Sequence, residues 1–432
     1  MDIKITPSPL KGTLKAISSK SDAHRRLICA ALADRTTRLY VPQRSVDINT
    51  TVRCLNALGA DISYSQGIYT VHPIPASGGR SDALLDCYES GSTLRFLMPV
   101  AASVADHVSF VGRGKLPRRP IADLLMSMES NGVRFSNHSL PLVMEGRLQS
   151  GRFELPGNVS SQYVSGLLMA FPTLPKGGSL KLTTALESSA YVDMTISSMR
   201  VFGVKVKKTQ ENGYEVEADQ RYLSPGQTST EGDWSSAAFF LTAGAIGGEI
   251  TMTGLCQESY QCDKEILPIL QHFGAEVTPQ QKNNHGDHRS GEGPALTVRK
   301  APLTSRNLDI RNIPDLLPIL SVLAASSKGT TRFTGGQRLR YKESNRLAAT
   351  VSVLRSMGGL AWETPDGLIV TGSPLSGGIV DGYNDHRIVM SAAIAAAFAQ
   401  DSTVILGADA VNKSYPSFFE DFVKLGGKVD VL

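Results

Sequence analysis

The sequence predicts an α/β protein in two domains, each built from three repeated units of about 70 residues. Three observations carry that expectation. Six times the chain reads as the end of an amphipathic helix, then a glycine, then a short strand. About 40 residues before each of those glycines, a second segment opens with polar residues and continues as an apolar, small-residue run. Short alternating stretches such as GGSLKLTTA (177–185) and GGEITMTG (247–254) have the period of strands and mix with the helices inside each unit.

In chain order, the helix-ending glycines are Gly59 in NALGADI, Gly132 in ESNGVRF, Gly203 in RVFGVKV, Gly274 in QHFGAEV, Gly358 in RSMGGLA and Gly426 in VKLGGKV. Helices of this kind close on a left-handed residue, which glycine adopts without a Cβ penalty. The apolar runs in phase with them are KSDAHRRLICAALA from 20, SGSTLRFLMPVAASVA from 90, SSQYVSGLLMAF from 160, SSAAFFLTAGAIGG from 235, DLLPILSVLAASS from 315 and DHRIVMSAAIAAAFA from 385. A helix apolar on nearly every side is buried, and its polar start supplies N-cap and first-turn groups. The longest step between glycines, Gly274 to Gly358, contains TPQQKNNHGDHRSGEGP (278–294), read as an inserted surface loop. His285, Asp287 and His288 in it are metal-ligating types, but a loop without supporting hydrogen-bond partners makes a poor metal site. A domain boundary falls in ADQRYLSPGQTSTEGD (218–233), after the third unit.

Composition narrows the class. With 41% hydrophobic and 19% charged residues the chain reads as an ordinary globular protein. A net charge of +4 is too small to imply nucleic acid. The five cysteines, Cys29, Cys54, Cys87, Cys256 and Cys262, have no CxxC spacing, which argues against a zinc site or a disulfide framework and fits a reducing cytoplasm. MDIKITPSPL shows no leader pattern, and no apolar run is long enough for a membrane span. P-loop, GxSxG, HExxH and EF-hand motifs are absent.

The candidate chemistry lies at the polar starts. Helix N-termini present N–H groups and a positive dipole end, so several converging starts make an anion site, and a cleft between two domains is the default place for it. Lys20, Ser21 and Arg25 lie on the first start, Ser160, Ser161 and Gln162 on the third, and His386 and Arg387 on the sixth. GRGKLPRRP (112–120), RLRYKESNR (338–346) and VNKSYP (411–416) add basic loops. Cations beside small hydroxyl and amide residues bind phosphate and carboxylate. A single cation is more often a solvated surface charge; charges on first turns of core helices are harder to explain that way. Two carboxylates stay open between roles. Asp315 is an N-cap or a base for a substrate hydroxyl. Glu343 is an (i, i+3) partner of Arg346 or an acid/base group held by cations.

These residues resemble the 5-enolpyruvylshikimate-3-phosphate synthase family over nearly the whole chain. The motifs are KSDAHR (20–25), RRPI (118–121), SSQ (160–162), IPD (313–315), KESNR (342–346), NDHR (384–387) and the lysine of NKSYP, Lys413. The resemblance implies an inside-out α/β barrel of two domains, residues 19–230 (shikimate-3-phosphate side) and residues 1–18 with 231–432 (phosphoenolpyruvate side), which close on the substrates. It implies transfer of the enolpyruvyl group of phosphoenolpyruvate to the 5-hydroxyl of shikimate-3-phosphate, with no metal or organic cofactor, by a cytoplasmic monomer that glyphosate inhibits. Shikimate-3-phosphate is then met by Lys20, Ser21, Arg25, Ser160, Ser161, Gln162, Ser188, Tyr191, Asp315, Arg338 and Lys342. Phosphoenolpyruvate is met by Lys20, Gly91, Arg119, Gln162, Arg346, His386, Arg387 and Lys413. Asp315 takes the hydroxyl proton, and Glu343, with Lys20, handles the proton at the methylene carbon. Asp385 caps the sixth helix. YESGST (88–93) departs from the family's GNAGT or GNSGT: Gly91 is kept, but Glu89 stands where asparagine is usual, which repels a phosphate unless its side chain turns away. ISSKS replaces the usual PGSKS, and Arg338 occupies a position often filled by Asn or Arg. Two rivals remain: the sister transferase acting on UDP-N-acetylglucosamine, which typically carries a reactive cysteine where GRGKLPRRP has none, and a non-catalytic anion or nucleic-acid binder, disfavoured by carboxylates interleaved with the cations and by an aromatic content of 6%.

Overall fold

Every apolar run forms a buried helix, and every helix-ending glycine follows an amphipathic one. The computed structural model describes residues 1–279 and 295–432, so His285, Asp287 and His288 lie outside the described residues. The helices alternate along the chain: α1 (Lys20–Ala31) and α2 (Val46–Ala57), α3 (Gly91–Val104) and α4 (Ala122–Glu129), α5 (Ser161–Ala170) and α6 (Ser189–Val201), α7 (Trp234–Gly247) and α8 (Ile266–Phe273), α9 (Leu317–Ala325) and α10 (Arg346–Ser356), α11 (His386–Ala397) and α12 (Phe418–Lys424). The odd-numbered members are the core helices; in α11 all twelve residues are buried. The even-numbered members bury one stripe, and Gly59, Gly132, Gly203, Gly274, Gly358 and Gly426 just beyond them all have positive φ, between 79° and 113°.

Polar starts cap five of the six core helices. Side chains of Ser19, Ser90, Ser160, Asp233 and Asp385 accept from first-turn N–H groups of α1, α3, α5, α7 and α11. The exception is α9. It follows a 3-10 turn, Pro314–Leu316, and neither helical segment has a side-chain cap. The N-cap reading of Asp315 therefore does not hold, because cations occupy its carboxylate instead.

Among the described residues, strands complete six four-stranded sheets. In the second unit, Ala83–Asp86 pairs parallel with His107–Val111, which pairs antiparallel with Leu142–Glu145, which pairs antiparallel with Arg134–Phe135. The parallel crossover carries the buried helix, as a same-sheet parallel connection requires, and the even-numbered helix leads into the closing hairpin. The third and fifth units repeat this order without change. The other three borrow a strand. Gln227–Ser229 lies parallel to Thr37–Tyr40 and opens the sheet of the first unit. Lys11–Lys15 lies parallel to Glu249–Thr253 and opens that of the fourth. Ile3–Thr6 sits between Thr403–Leu406 and Lys428–Val431 in the sixth.

These borrowed strands sort the chain into two compact bodies, Met1–Ile17 with Glu231–Leu432, and Ser18–Thr230. The second body has one continuous apolar core running from Ala23 on α1 to Tyr222. In the first body α7, α9 and α11 pack on one another, and Phe239, Phe240, Ile319, Leu320, Val389 and Met390 on them are all nearly inaccessible. No described helix is long and apolar enough to cross a membrane.

Candidate active site

Burying charges on a core helix is tolerable only where partners surround them. In the body made of Met1–Ile17 and Glu231–Leu432, that partner set centres on Arg346, the first residue of α10, which is 1% exposed. Its Nη1 donates to Asp315 Oδ1 (2.7 Å), its Nη2 to Glu343 Oε2 (2.7 Å) and its Nε to Asp385 Oδ2 (2.8 Å). Arg387 Nη2 donates to Asp315 Oδ2 (3.2 Å), and Lys342 Nζ lies 3.5 Å from Asp315 Oδ1. Three cations and three carboxylates from α10, α11 and the turns before α9 and α10 thus form one network.

Its electrostatics follow from burial and proximity. Burial alone pushes the Asp315 carboxyl up, but Arg387, Lys342 and Arg346 outweigh it and hold the group well below the usual carboxylate range. Asp385 is lowered in the same way, with Arg346 opposing burial. Arg346 is raised, because its carboxylates overcome desolvation. Asp385 also caps α11 through the Arg387 N–H (3.0 Å) and accepts from Ser344 Oγ (2.9 Å), a structural duty. His386 is buried, with Nδ1 3.9 Å from Asp385 Oδ1. Lys413, at the end of a 3-10 turn, donates to the Asn384 carbonyl at 2.6 Å in the turn before α11. Arg338 donates to the Arg311 carbonyl (2.9 Å).

Ser18–Thr230 carries its own cluster. Lys20 pairs with Asp47 on α2 at 2.7 Å. Arg25, 2% exposed, reaches across to α6: Nε donates to Thr195 Oγ1 (2.7 Å) and Nη2 to the Tyr191 carbonyl (3.0 Å), while Nη1 holds the Ser21 carbonyl (2.7 Å). Gln162, in the first turn of α5, accepts from Arg95 Nη1 (2.9 Å) and donates to Ser92 Oγ (2.9 Å) on α3. Ser160 caps α5, Ser161 begins it, and Ser188, in the left-handed region at φ 55°, precedes α6. A Cβ placed on Gly91 would lie 2.8 Å from Arg119 Nη1, so the guanidinium rests directly on this glycine. The Glu89 side chain packs against Gly114. Arg25 thus joins Ser21 to Tyr191, Lys20 is held by Asp47, and Gln162 reaches the Gly91 turn through Ser92.

Several polar groups of these clusters escaped the sequence reading. Arg95 lies in STLRFLMPV, and the argument that singled out Arg387, a cation in the first turns of a core helix, applies to it equally. Asp47, the partner of Lys20, and Asp263 gave no local signal. Asp263 is 1% exposed in the turn Cys262–Glu265, accepts from Ser235 Oγ, and is pushed up to about 6 by burial, against Arg387 and with Asp315.

Such a set of buried, mutually neutralised cations and carboxylates at helix starts suits substrates with several negative charges and proton transfer to and from carbon or oxygen. Comparisons with known proteins agree. The chain is 39% identical over 426 residues, 98% of both chains, to a 3-phosphoshikimate 1-carboxyvinyltransferase of Clostridium perfringens, and 36% identical over 441 residues to one of Clostridioides difficile, covering 99% of this chain and 98% of that one. Among solved structures, an EPSP synthase from Acinetobacter baumannii matches over the full length of both chains with a TM-score of 0.81 at 25% identity. The family model for EPSP synthase (3-phosphoshikimate 1-carboxyvinyltransferase) matches residues 5–422. The chain belongs to the EPSP synthase family.

Proposed function

We propose that the protein transfers the enolpyruvyl group of phosphoenolpyruvate to the 5-hydroxyl of shikimate-3-phosphate and releases phosphate. One observation supports the reading beyond family membership: Asp315 and Glu343 share the cation Arg346, and Asp315 also pairs with Arg387 and Lys342, so two candidate proton-transfer groups lie beside candidate anion-binding ones. In this reading Ser18–Thr230 supplies the shikimate-3-phosphate side through Lys20, Ser21, Arg25, Ser160, Ser161, Gln162, Ser188 and Tyr191. Gly91 and Arg119 from the same body join Arg346, His386, Arg387 and Lys413 in holding phosphoenolpyruvate. Lys342 and Arg338 face the shikimate ring.

The chemistry is addition followed by elimination. Asp315, ionised because cations surround it, accepts the proton of the 5-hydroxyl as that oxygen attacks C2 of phosphoenolpyruvate. Glu343, with Lys20, delivers a proton to the methylene carbon, giving a tetrahedral ketal. The C–O bond to phosphate then breaks, the methyl returns its proton to Glu343, the phosphate leaves with the proton that Asp315 took, and the enol ether forms; the arginines stabilise charge on the leaving phosphate. Phosphate release is to be followed with phosphoenolpyruvate and shikimate-3-phosphate, with UDP-N-acetylglucosamine as a control acceptor. Asp315→Ala and Glu343→Ala should each lose about 100-fold or more in kcat. An inactive parent, or transfer to UDP-N-acetylglucosamine instead, refutes the function; full activity in both variants refutes the role assignment.

A further inference from the structure

A second layer of buried polar groups lies one helical turn below Lys20 and Asp47. His24 follows Lys20 by four residues on α1, and Thr51 follows Asp47 by four on α2, so both pairs sit on the facing sides of these helices. Lys20 and Asp47 make the outer rung at 2.7 Å, and His24 Nδ1 and Thr51 Oγ1 the inner one at 2.8 Å. The inner rung continues to α3: Thr51 Oγ1 is 2.7 Å from Thr93 Oγ1, which donates to Ser90 Oγ at 2.8 Å. Ser90 is the N-cap of α3 and also accepts from the Thr93 N–H at 3.2 Å. All four residues are 2% exposed or less.

Donor counting gives this chain a direction. A hydroxyl has one proton to donate. Thr93 directs its proton to Ser90, so Thr51 must be the donor between Thr51 and Thr93. Thr51 then offers only lone pairs to His24, and the imidazole must donate from Nδ1. That leaves Nε2 bare, and this atom is buried without a hydrogen-bond partner, beside the edge-on ring of Phe96. Burial first, then Lys20 and Arg25, keep the ring neutral by holding its pKa well below the usual histidine range.

We propose that His24 is a positioning residue for phosphoenolpyruvate: through Thr51 and Thr93 it fixes the Ser90 cap and with it the Gly91 turn on which the Arg119 guanidinium rests. The inference depends on Gly91 and Arg119 being phosphoenolpyruvate ligands. A histidine that merely fills the core would affect stability, or both substrates alike, and would not single out the ligand held at the start of α3.

Steady-state kinetics separate the two. His24→Leu, which removes the donor, should raise KM for phosphoenolpyruvate about tenfold and leave kcat and KM for shikimate-3-phosphate within about threefold. Thr51→Val, which breaks the chain at its centre, should do the same, and it decides alone if His24→Leu does not fold. His24→Asn, whose side-chain amide can place an N–H near the Nδ1 position, should return KM to within about threefold of the parent. An unchanged KM for phosphoenolpyruvate in the donor-lacking variants, or an equal rise for both substrates, overturns the proposal. Nitrogen-15 NMR of the histidine side chains reads the relay without turnover: the parent should show His24 as the neutral Nδ1–H tautomer from about pH 6 to 8. A protonated ring or the opposite tautomer overturns it even if the parent turns nothing over, whereas an inactive parent with the expected tautomer counts against the function alone.

Discussion

Arg346 divides its three carboxylates unequally. Asp385 has no exposed side-chain surface and is fixed as a helix cap, whereas the Asp315 and Glu343 side chains are 17% and 19% exposed. An anion arriving at Arg346 would compete with the two partly exposed acids and not with the buried one. If phosphoenolpyruvate is held at Arg346 as proposed, its binding draws that cation away from the groups proposed to move protons, and a carboxylate released from its cations becomes a stronger base. Gly91 obeys a similar local constraint. Gly91→Ala puts a methyl 2.8 Å from Arg119 Nη1, so the guanidinium must shift; KM for phosphoenolpyruvate should rise about tenfold, with that for shikimate-3-phosphate little changed. Initial-rate measurements on both substrates check this. Asp263 gives a pH signature. Its folded pKa, about 6, lies above its ordinary value of 3.8, so the folded state keeps a proton that the unfolded chain has released between those values. The contribution is complete below 3.8 and lost as the pH passes 6. Asp263→Asn, which cannot ionise, should gain stability relative to the parent as pH rises from about 4 to 7, read by urea denaturation across that range; a pH-independent difference would show that the group does not titrate there. Asp315 and Arg387 were legible because charge at the start of an apolar run demands an explanation, and Arg346 and Glu343 because they stand in the basic loop RLRYKESNR. His24, Asp47 and Asp263 were not, because only tertiary packing brings their partners near.

At the level of single elements, the repeat works through its boundaries. Glycine in the left-handed region ends each amphipathic helix, and Gly203 isolates that effect: φ is 81°, and the atoms nearest an added Cβ belong to Leu223, at ordinary contact distances of 3.4 to 3.6 Å. Gly203→Ala should therefore destabilise by about 1 kcal/mol through backbone strain alone, measured by denaturant unfolding. Equal stability would mean that the helix end relaxes. Core helices show the complementary rule. Ser, Asp and small residues at their starts were readable as caps, and five of six behave so. At α9 the local pattern misled, since Asp315 stands where a cap would, yet Pro314 and Pro318 shape the entry and the carboxylate is turned over to the cations. Tertiary ion pairing outweighed a local preference worth about 1 kcal/mol.

For the molecule as a whole, the six units and their helices could be read from spacing, but the exchange of strands could not. Lys11–Lys15 and Gln227–Ser229 are five and three residues long, and neither carries a pattern that says which sheet it joins. Each leaves its neighbours in sequence: the strand before α1 enters the sheet of the fourth unit, and the strand before α7 enters that of the first. The first seventeen residues are thereby built into a body whose remainder starts at Glu231. Where the chain begins and ends, Ile3 pairs with Val431, and the Leu432 N–H donates to the Asp2 carbonyl at 3.0 Å. Beginning and end are close enough to be joined by a linker of roughly four residues. If the ring so formed is reopened between Thr230 and Glu231, the permuted gene encodes each body as one uninterrupted stretch, first Glu231 through Leu432 and on to Ile17, then Ser18 to Thr230. Such a permutant should fold and turn over substrate within about threefold of the parent. It should also refold faster, because Ile3–Thr6 would no longer wait for nearly four hundred intervening residues before meeting its sheet, and stopped-flow refolding of the two chain orders compares them directly.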